Sequence, residues 1–72
     1  MDNERALQQL GDRIRVLRLA AQMSQEELAA MAGFDRTYIS LIERGKRNLS
    51  VGNLIRFARA LGVGVEDLVG GL

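Results

Sequence analysis

Seventy-two residues with a net charge of +1, no cysteine and no histidine leave few kinds of chemistry open to this chain. The missing cysteines exclude disulfides, thiolate chemistry and cysteine zinc sites, and the missing histidines remove the usual general base and the commonest metal ligand. The apolar fraction, 47 %, is that of a globular chain, and the length suits one domain near the lower limit for a self-sufficient core. No apolar run approaches the roughly 18 residues of a membrane span, and the opening MDNERALQQL is too polar for a signal peptide. The expectation is a single domain over residues 1–72, cytoplasmic, with no metal or cofactor.

Residues 4–21 are predicted as the first helix, because Leu7, Leu10, Ile14, Leu17 and Ala21 fall on one stripe. Arg13 and Arg15 flank that stripe and are expected in solvent, whereas Arg18 lies closer to its apolar edge. Ser24 and Glu27 have the spacing of a capping box, which starts a second helix from Gln25 to about Met31 with Leu28, Ala29 and Ala32 inward. Gly33 turns the chain, Asp35 is placed to cap a third helix over Arg36–Arg44, and Gly45 ends it. After the loop KRNL, Ser50 caps a fourth helix, Val51–Leu61, whose expected core face is Val51, Leu54, Phe57, Ala58 and Leu61. Gly62 closes it, and a short fifth helix, Val65–Val69, precedes a GGL tail. The predicted fold is an all-α, compact five-helix bundle.

Residues 25–44 carry the most specific pattern. With Gln25 as the first position, Ala29, Gly33, Ile39 and Ile42 occupy positions 5, 9, 15 and 18 of a twenty-residue helix-turn-helix. Ala29 is small where two helices cross closely, and Gly33 suits a left-handed turn that costs other residues about 1–2 kcal/mol. Ile39 and Ile42 point inward. In such a motif the second helix enters the DNA major groove. Charge agrees in placement: Arg36, Arg44, Lys46 and Arg47 surround one acid, Glu43, while the stretch from Gly62 onward holds only Glu66 and Asp67. Cations at a helix C-terminus explain Arg44 and Lys46 almost as well.

The arrangement RIRVLR, MSQEELA, Gly33, YIS.IERGKR and ALGV resembles the lambda-repressor-like helix-turn-helix domains of Cro/C1-type and Xre-type regulators, over about residues 10–69. Within that family the run DRTYISLIERGKRNLS is most similar to controller proteins of restriction–modification systems. The resemblance implies a transcriptional regulator that binds double-stranded operator DNA as a homodimer. It implies backbone contacts from Ser24 and Gln25 at the start of the second helix, and from Tyr38, Arg44 and Asn48. Base edges would be read by Arg36, Thr37, Ser40 and Leu41, with Arg47 adding a further contact. A helical step of about 100° independently sends Thr37, Ser40, Leu41 and Arg44 outward if Ile39 and Ile42 face in. Leu41 is then either an ordinary exposed leucine or a partner for a thymine methyl. The family also implies a structural ion pair, here Arg18 with Glu43.

One short recognition helix reads few base pairs, so a dimer on half-sites about 34–36 Å apart is expected. Ile55, Val65, Leu68 and Val69 are the candidates for its interface, against the reading that they close the core, which is preferred for Leu68. RNA polymerase is a further candidate partner; no membrane and no small-molecule ligand are expected. Rival readings are a DNA-binding antitoxin, which usually needs extra chain to cover its toxin, and another stand-alone Xre-type repressor. From a different class comes a protein-interaction module on the same fold, disfavoured by the basic, hydroxyl-bearing face of the third helix. An enzyme is disfavoured because Ser24 and Ser40 have no base partner and Glu26–Glu27 is explained by capping.

Overall fold

Capping residues decide where the helices of the computed structural model begin, and the structure describes residues 3–72. In chain order these are α1 (Asn3–Ala20), α2 (Gln25–Ala32), α3 (Arg36–Glu43), α4 (Val51–Leu61) and α5 (Val65–Val69). The capping box at α2 is complete: Ser24 Oγ accepts from the Glu27 N–H at 3.0 Å, and the Ser24 N–H donates to Glu27 Oε1 at 2.8 Å. The Ser24 N–H first, and the Ser24 hydroxyl second, hold the Glu27 carboxyl below the usual carboxylate range, so this part of the cap is lost as pH falls through that lowered value. Ser50 caps α4 by accepting from the Asn53 N–H at 3.1 Å. Asp35 occupies the N-cap position of α3 with extended backbone, but its carboxylate makes no capping bond.

The core is a single cluster in which Ile14, Leu28, Ile39, Ile42, Phe57 and Leu68 are the largest fully buried side chains. Each helix supplies at least one of them, so no helix is an appendage. Leu10, Ala29, Ala32, Ala58 and Ala60 fill the gaps, and Leu17, Leu54, Leu61, Val65 and Val69 pack against the cluster from its edge.

Several expectations need correction. Val51 is 73 % exposed, because the first turn of α4 overhangs the core, and Ala60 takes an inward place instead. Ala21 lies beyond the end of α1 and is exposed. Arg13 is not simply solvated: its Nη1 donates to the Leu68 carbonyl at 3.1 Å, tying α1 to α5. Leu68, named above among the interface candidates but preferred as core, is fully buried and has no surface to offer a partner. The chain leaves α1 through Gln22 at φ 59°, a left-handed conformation that glutamine does not advertise.

Helix α3 is only eight residues long, too short to persist alone, so its neighbours must hold it. Two devices do so from α1. Gly11 is buried, and a Cβ there would collide with the Ile42 carbonyl oxygen and stand 2.9 Å from that of Glu43, so only glycine lets α1 approach the last turn of α3. Seven residues on, Arg18 Nε donates to Glu43 Oε2 at 2.6 Å and Nη2 to Oε1 at 3.1 Å. Arg18 is 7 % exposed and Glu43 6 %, so this bidentate pair is buried. The remaining Arg18 Nη1 donates to the Met23 carbonyl at 2.8 Å, and Gln25 Nε2 donates to Glu43 Oε1 at 3.1 Å. No buried side-chain polar atom lacks a partner among the described residues.

Two outcomes follow for thermal unfolding followed by circular dichroism. Glu43→Ala strands the Arg18 charge and is expected to lose about 3–5 kcal/mol, whereas Glu26→Ala, at an exposed and long ion pair, loses little. Equal melting temperatures would contradict the buried pair. Gly11→Ala is expected to destabilise strongly, while Gly52→Ala in the exposed first turn of α4 meets only Ser50 Oγ at 3.9 Å and gains about 0.5–1 kcal/mol. A neutral Gly11→Ala would contradict the close helix approach.

Candidate nucleic-acid interface

Helix α3 divides cleanly into an inner and an outer face. Ile39, Ile42 and Glu43 are buried, while Arg36, Thr37 and Arg44 are exposed and Ser40 and Leu41 are half-buried. The outer residues recur at the helical period and form one surface running along the helix. Leu41 is thus less exposed than its position on the outer face suggested. Arg36 begins the helix, where side chains of an inserted helix reach base edges. Its Nε stands 3.7 Å from Glu26 Oε1, an exposed pair that solvent screens and that a stronger partner displaces. At the other end Arg44 folds back, donating from Nε to the Ser40 carbonyl at 3.3 Å.

The turn between α2 and α3 sets the direction in which this face points. Gly33 adopts φ 79°, and both its N–H and that of Phe34 donate to the Ala29 carbonyl, at 2.9 and 2.8 Å. The Phe34 ring then sits 4.8 Å from Tyr38 and 5.0 Å from Phe57, centroid to centroid. Tyr38 is half-buried in this cluster. Its hydroxyl accepts from Asn53 Nδ2 at 3.1 Å, and the Arg47 guanidinium lies 5.2 Å over its ring. Arg47 is therefore held beside α3 by a cation–π contact, although it belongs to the following loop. Asn48, next to it, is exposed.

Beside α3 lies a polar cleft lined by Gln8, Asp12, Arg15, Gln25, Ser40, Glu43 and Arg44. It brings together the start of α2, the middle of α1 and the end of α3. Gln25 and Arg44, both expected at the backbone, share this cleft. Ser24 stands one residue before Gln25, exposed at the α2 N-terminus, where the helix dipole favours an anion. Arg15 was missed as a cleft residue. Its place beside the first stripe marked it only as a solvated flank; which other helix it would meet depends on the α1–α3 crossing at Gly11, and no local pattern shows that.

The interface candidates behave differently from one another. Ile55 is 37 % exposed on the outer side of α4, and Val51, one turn earlier, joins it in an apolar strip. Val65 and Val69 are half-buried, packed against the core edge. Among the described residues no group of three or more His, Cys, Asp or Glu could hold a metal ion, and no helix is long and apolar enough to cross a membrane.

Comparison with known proteins gives the same fold and motif. A helix-turn-helix family model matches residues 14–68. The control protein C.BamHI of Bacillus amyloliquefaciens is 48 % identical over 60 residues, covering 82 % of this chain and 74 % of that protein. The crystal structure of the restriction–modification controller protein C.AhdI from Aeromonas hydrophila superposes with a TM-score of 0.84 at 44 % identity, over 86 % of this chain and 94 % of that one. The controller protein C.Esp1396I, solved as a tetramer with its natural 35-base-pair operator, matches with a TM-score of 0.78 at 41 % identity, over 82 % and 78 % of the two chains. With the matched model running from within α1 into α5 and the motif's turn, small residue and inward isoleucines all in position, this chain belongs to the helix-turn-helix family that includes the restriction–modification controller proteins.

Proposed function

We infer that this chain is a sequence-specific regulator of transcription, binding operator DNA as a homodimer in the manner of a restriction–modification controller. The observation that carries the reading is the outer face of α3: exposed Arg36, Thr37 and Arg44 with half-buried Ser40 and Leu41 between them, backed by a buried inner face. The relatives support it, since the named proteins are controllers and one was crystallised on its operator. A cytoplasmic location and the absence of catalysis belong to the same reading, as does a single functional unit over residues 1–72.

On this reading Arg36, Thr37, Ser40 and Leu41 face base edges, and Arg47 reaches the same groove from its station over Tyr38. Ser24, Gln25, Tyr38, Arg44 and Asn48 hold the phosphate backbone, with Arg15 completing the cleft as a further backbone contact. The dimer joins two copies through the Val51–Ile55 strip of α4, with Val65 and Val69 at its margin. RNA polymerase is the partner a bound activator would engage.

Two measurements test these roles. In titrations against single-base variants of a preferred duplex at several salt concentrations, Arg36→Ala is expected to relax preference at one base pair at a cost of about 1–3 kcal/mol. Arg44→Ala is expected to weaken all sequences alike and flatten the salt dependence by about one unit of slope. If Arg36→Ala weakens every sequence equally, it is a backbone contact. For the dimer, sedimentation at tens of micromolar is expected to show the dimer for the wild type and a folded 7.9 kDa monomer for Ile55→Glu. A wild-type chain found only as the monomer would contradict the interface.

A further inference from the structure

We propose that Arg56, on α4 and away from the cleft and the outer face of α3, is a positioning residue that fixes the turn between the two helices of the motif and, through the start of α3, sharpens operator discrimination. It rests on the DNA-binding reading above and adds a positioning residue to it. Helix α2 ends with carbonyls that its own helix cannot satisfy, because the chain turns at Gly33. Arg56 supplies two donors at that point. Its Nε donates to the Ala32 carbonyl at 3.0 Å and its Nη2 to the Gly33 carbonyl at 2.7 Å. A cation is favoured there by the negative end of the α2 dipole.

The guanidinium is fixed on a third side as well. Its Cζ lies 4.1 Å from the centroid of the Phe34 ring, the same ring that packs against Tyr38 of α3 and Phe57 of α4. One planar group thus grips the end of α2, the turn, and the first aromatic residue on the way into α3. A Cβ at Gly33 would stand 2.6 Å from Nη2, so glycine is needed there for this grip as well as for the left-handed turn. Lysine cannot copy the arrangement, since an ammonium lacks both the fork and the flat face.

The functional consequence follows from how differently bases and phosphates tolerate misplacement. Hydrogen bonds to base edges carry the sequence information and need the α3 side chains in one register, whereas the Coulombic attraction to the phosphates is sequence-independent and survives a small displacement. Releasing the turn loosens the start of α3, while the Arg18 and Gln25 bonds to Glu43 still hold its end and the core stays closed. Preference for the operator then falls, and general affinity for DNA does not.

The experiment uses a duplex enriched by the full wild-type chain from a randomised pool, with a scrambled duplex of equal composition as its control. Arg56→Lys and Arg56→Gln are compared with wild type at a temperature where circular dichroism shows all of them folded and sedimentation shows an unchanged oligomer. Both variants are expected to lose about ten- to a hundredfold on the enriched duplex, with scrambled-duplex affinity and its salt slope unchanged. Arg56→Lys retaining wild-type preference would overturn the proposal, because charge alone would then suffice. Equal loss on both duplexes with a flatter salt slope would also overturn it, making Arg56 a phosphate contact. A lower melting temperature with intact discrimination would reduce it to a structural residue. A wild-type chain that enriches no sequence would instead sink the DNA-binding reading beneath it.

Discussion

The carboxylate of Glu43 is the point at which three helices are joined. It is the last residue of α3, it accepts two bonds from Arg18 of α1, and it accepts a third from Gln25, the first residue of α2. Arg18 in turn reaches the carbonyl of Met23, in the link between α1 and α2. Burying such a pair does not guarantee net stability, because the desolvation of two charges offsets most of their attraction. Its value is directional: carboxylate and guanidinium are satisfied in one relative placement of the helices and strand each other in any other.

That constraint matters because α3 has little to hold itself with. Its N-cap position makes no side-chain capping bond, and eight residues are below the length at which propensity sustains a helix. Ile39 and Ile42 anchor it underneath, Gly11 allows α1 to press against its last turn, and the Phe34–Tyr38–Phe57 rings fix its first. Everything that holds the helix acts on its inner side or its ends. The outer side carries only the screened Arg36–Glu26 pair and the Arg44 contact to the Ser40 carbonyl, which leaves its residues largely open to choice by a ligand.

Much of this was legible in the sequence, and the reasons differ by residue. The helix boundaries came from Ser24, Ser50, Gly33 and Gly62, whose capping chemistry is local. The inner and outer faces of α3 came from period alone. Val51 was misplaced because a stripe shows which side of a helix is apolar, not where the neighbouring elements stop. Arg13, Arg15 and Arg56 were read as solvated or passed over for a related reason: their partners are backbone carbonyls or clefts made by distant segments, and carbonyls leave no trace in a side-chain pattern. The Gln25–Glu43 bond joins residues 18 apart in the chain and is seen only once α2 and α3 are docked. Arg18 with Glu43 came from family resemblance; spacing alone would not have paired them.

The account stands on α3 lying in the major groove of DNA, in two copies on one face of the duplex. Methylation interference at guanine N7, which lies in the major groove, measures this most directly on a duplex that the full chain enriches from a randomised pool. The account predicts two clusters of interfering guanines centred about ten base pairs apart, with no interference from methylation of adenine N3 in the minor groove. Interference confined to adenine N3, or binding indifferent to both modifications, would contradict it.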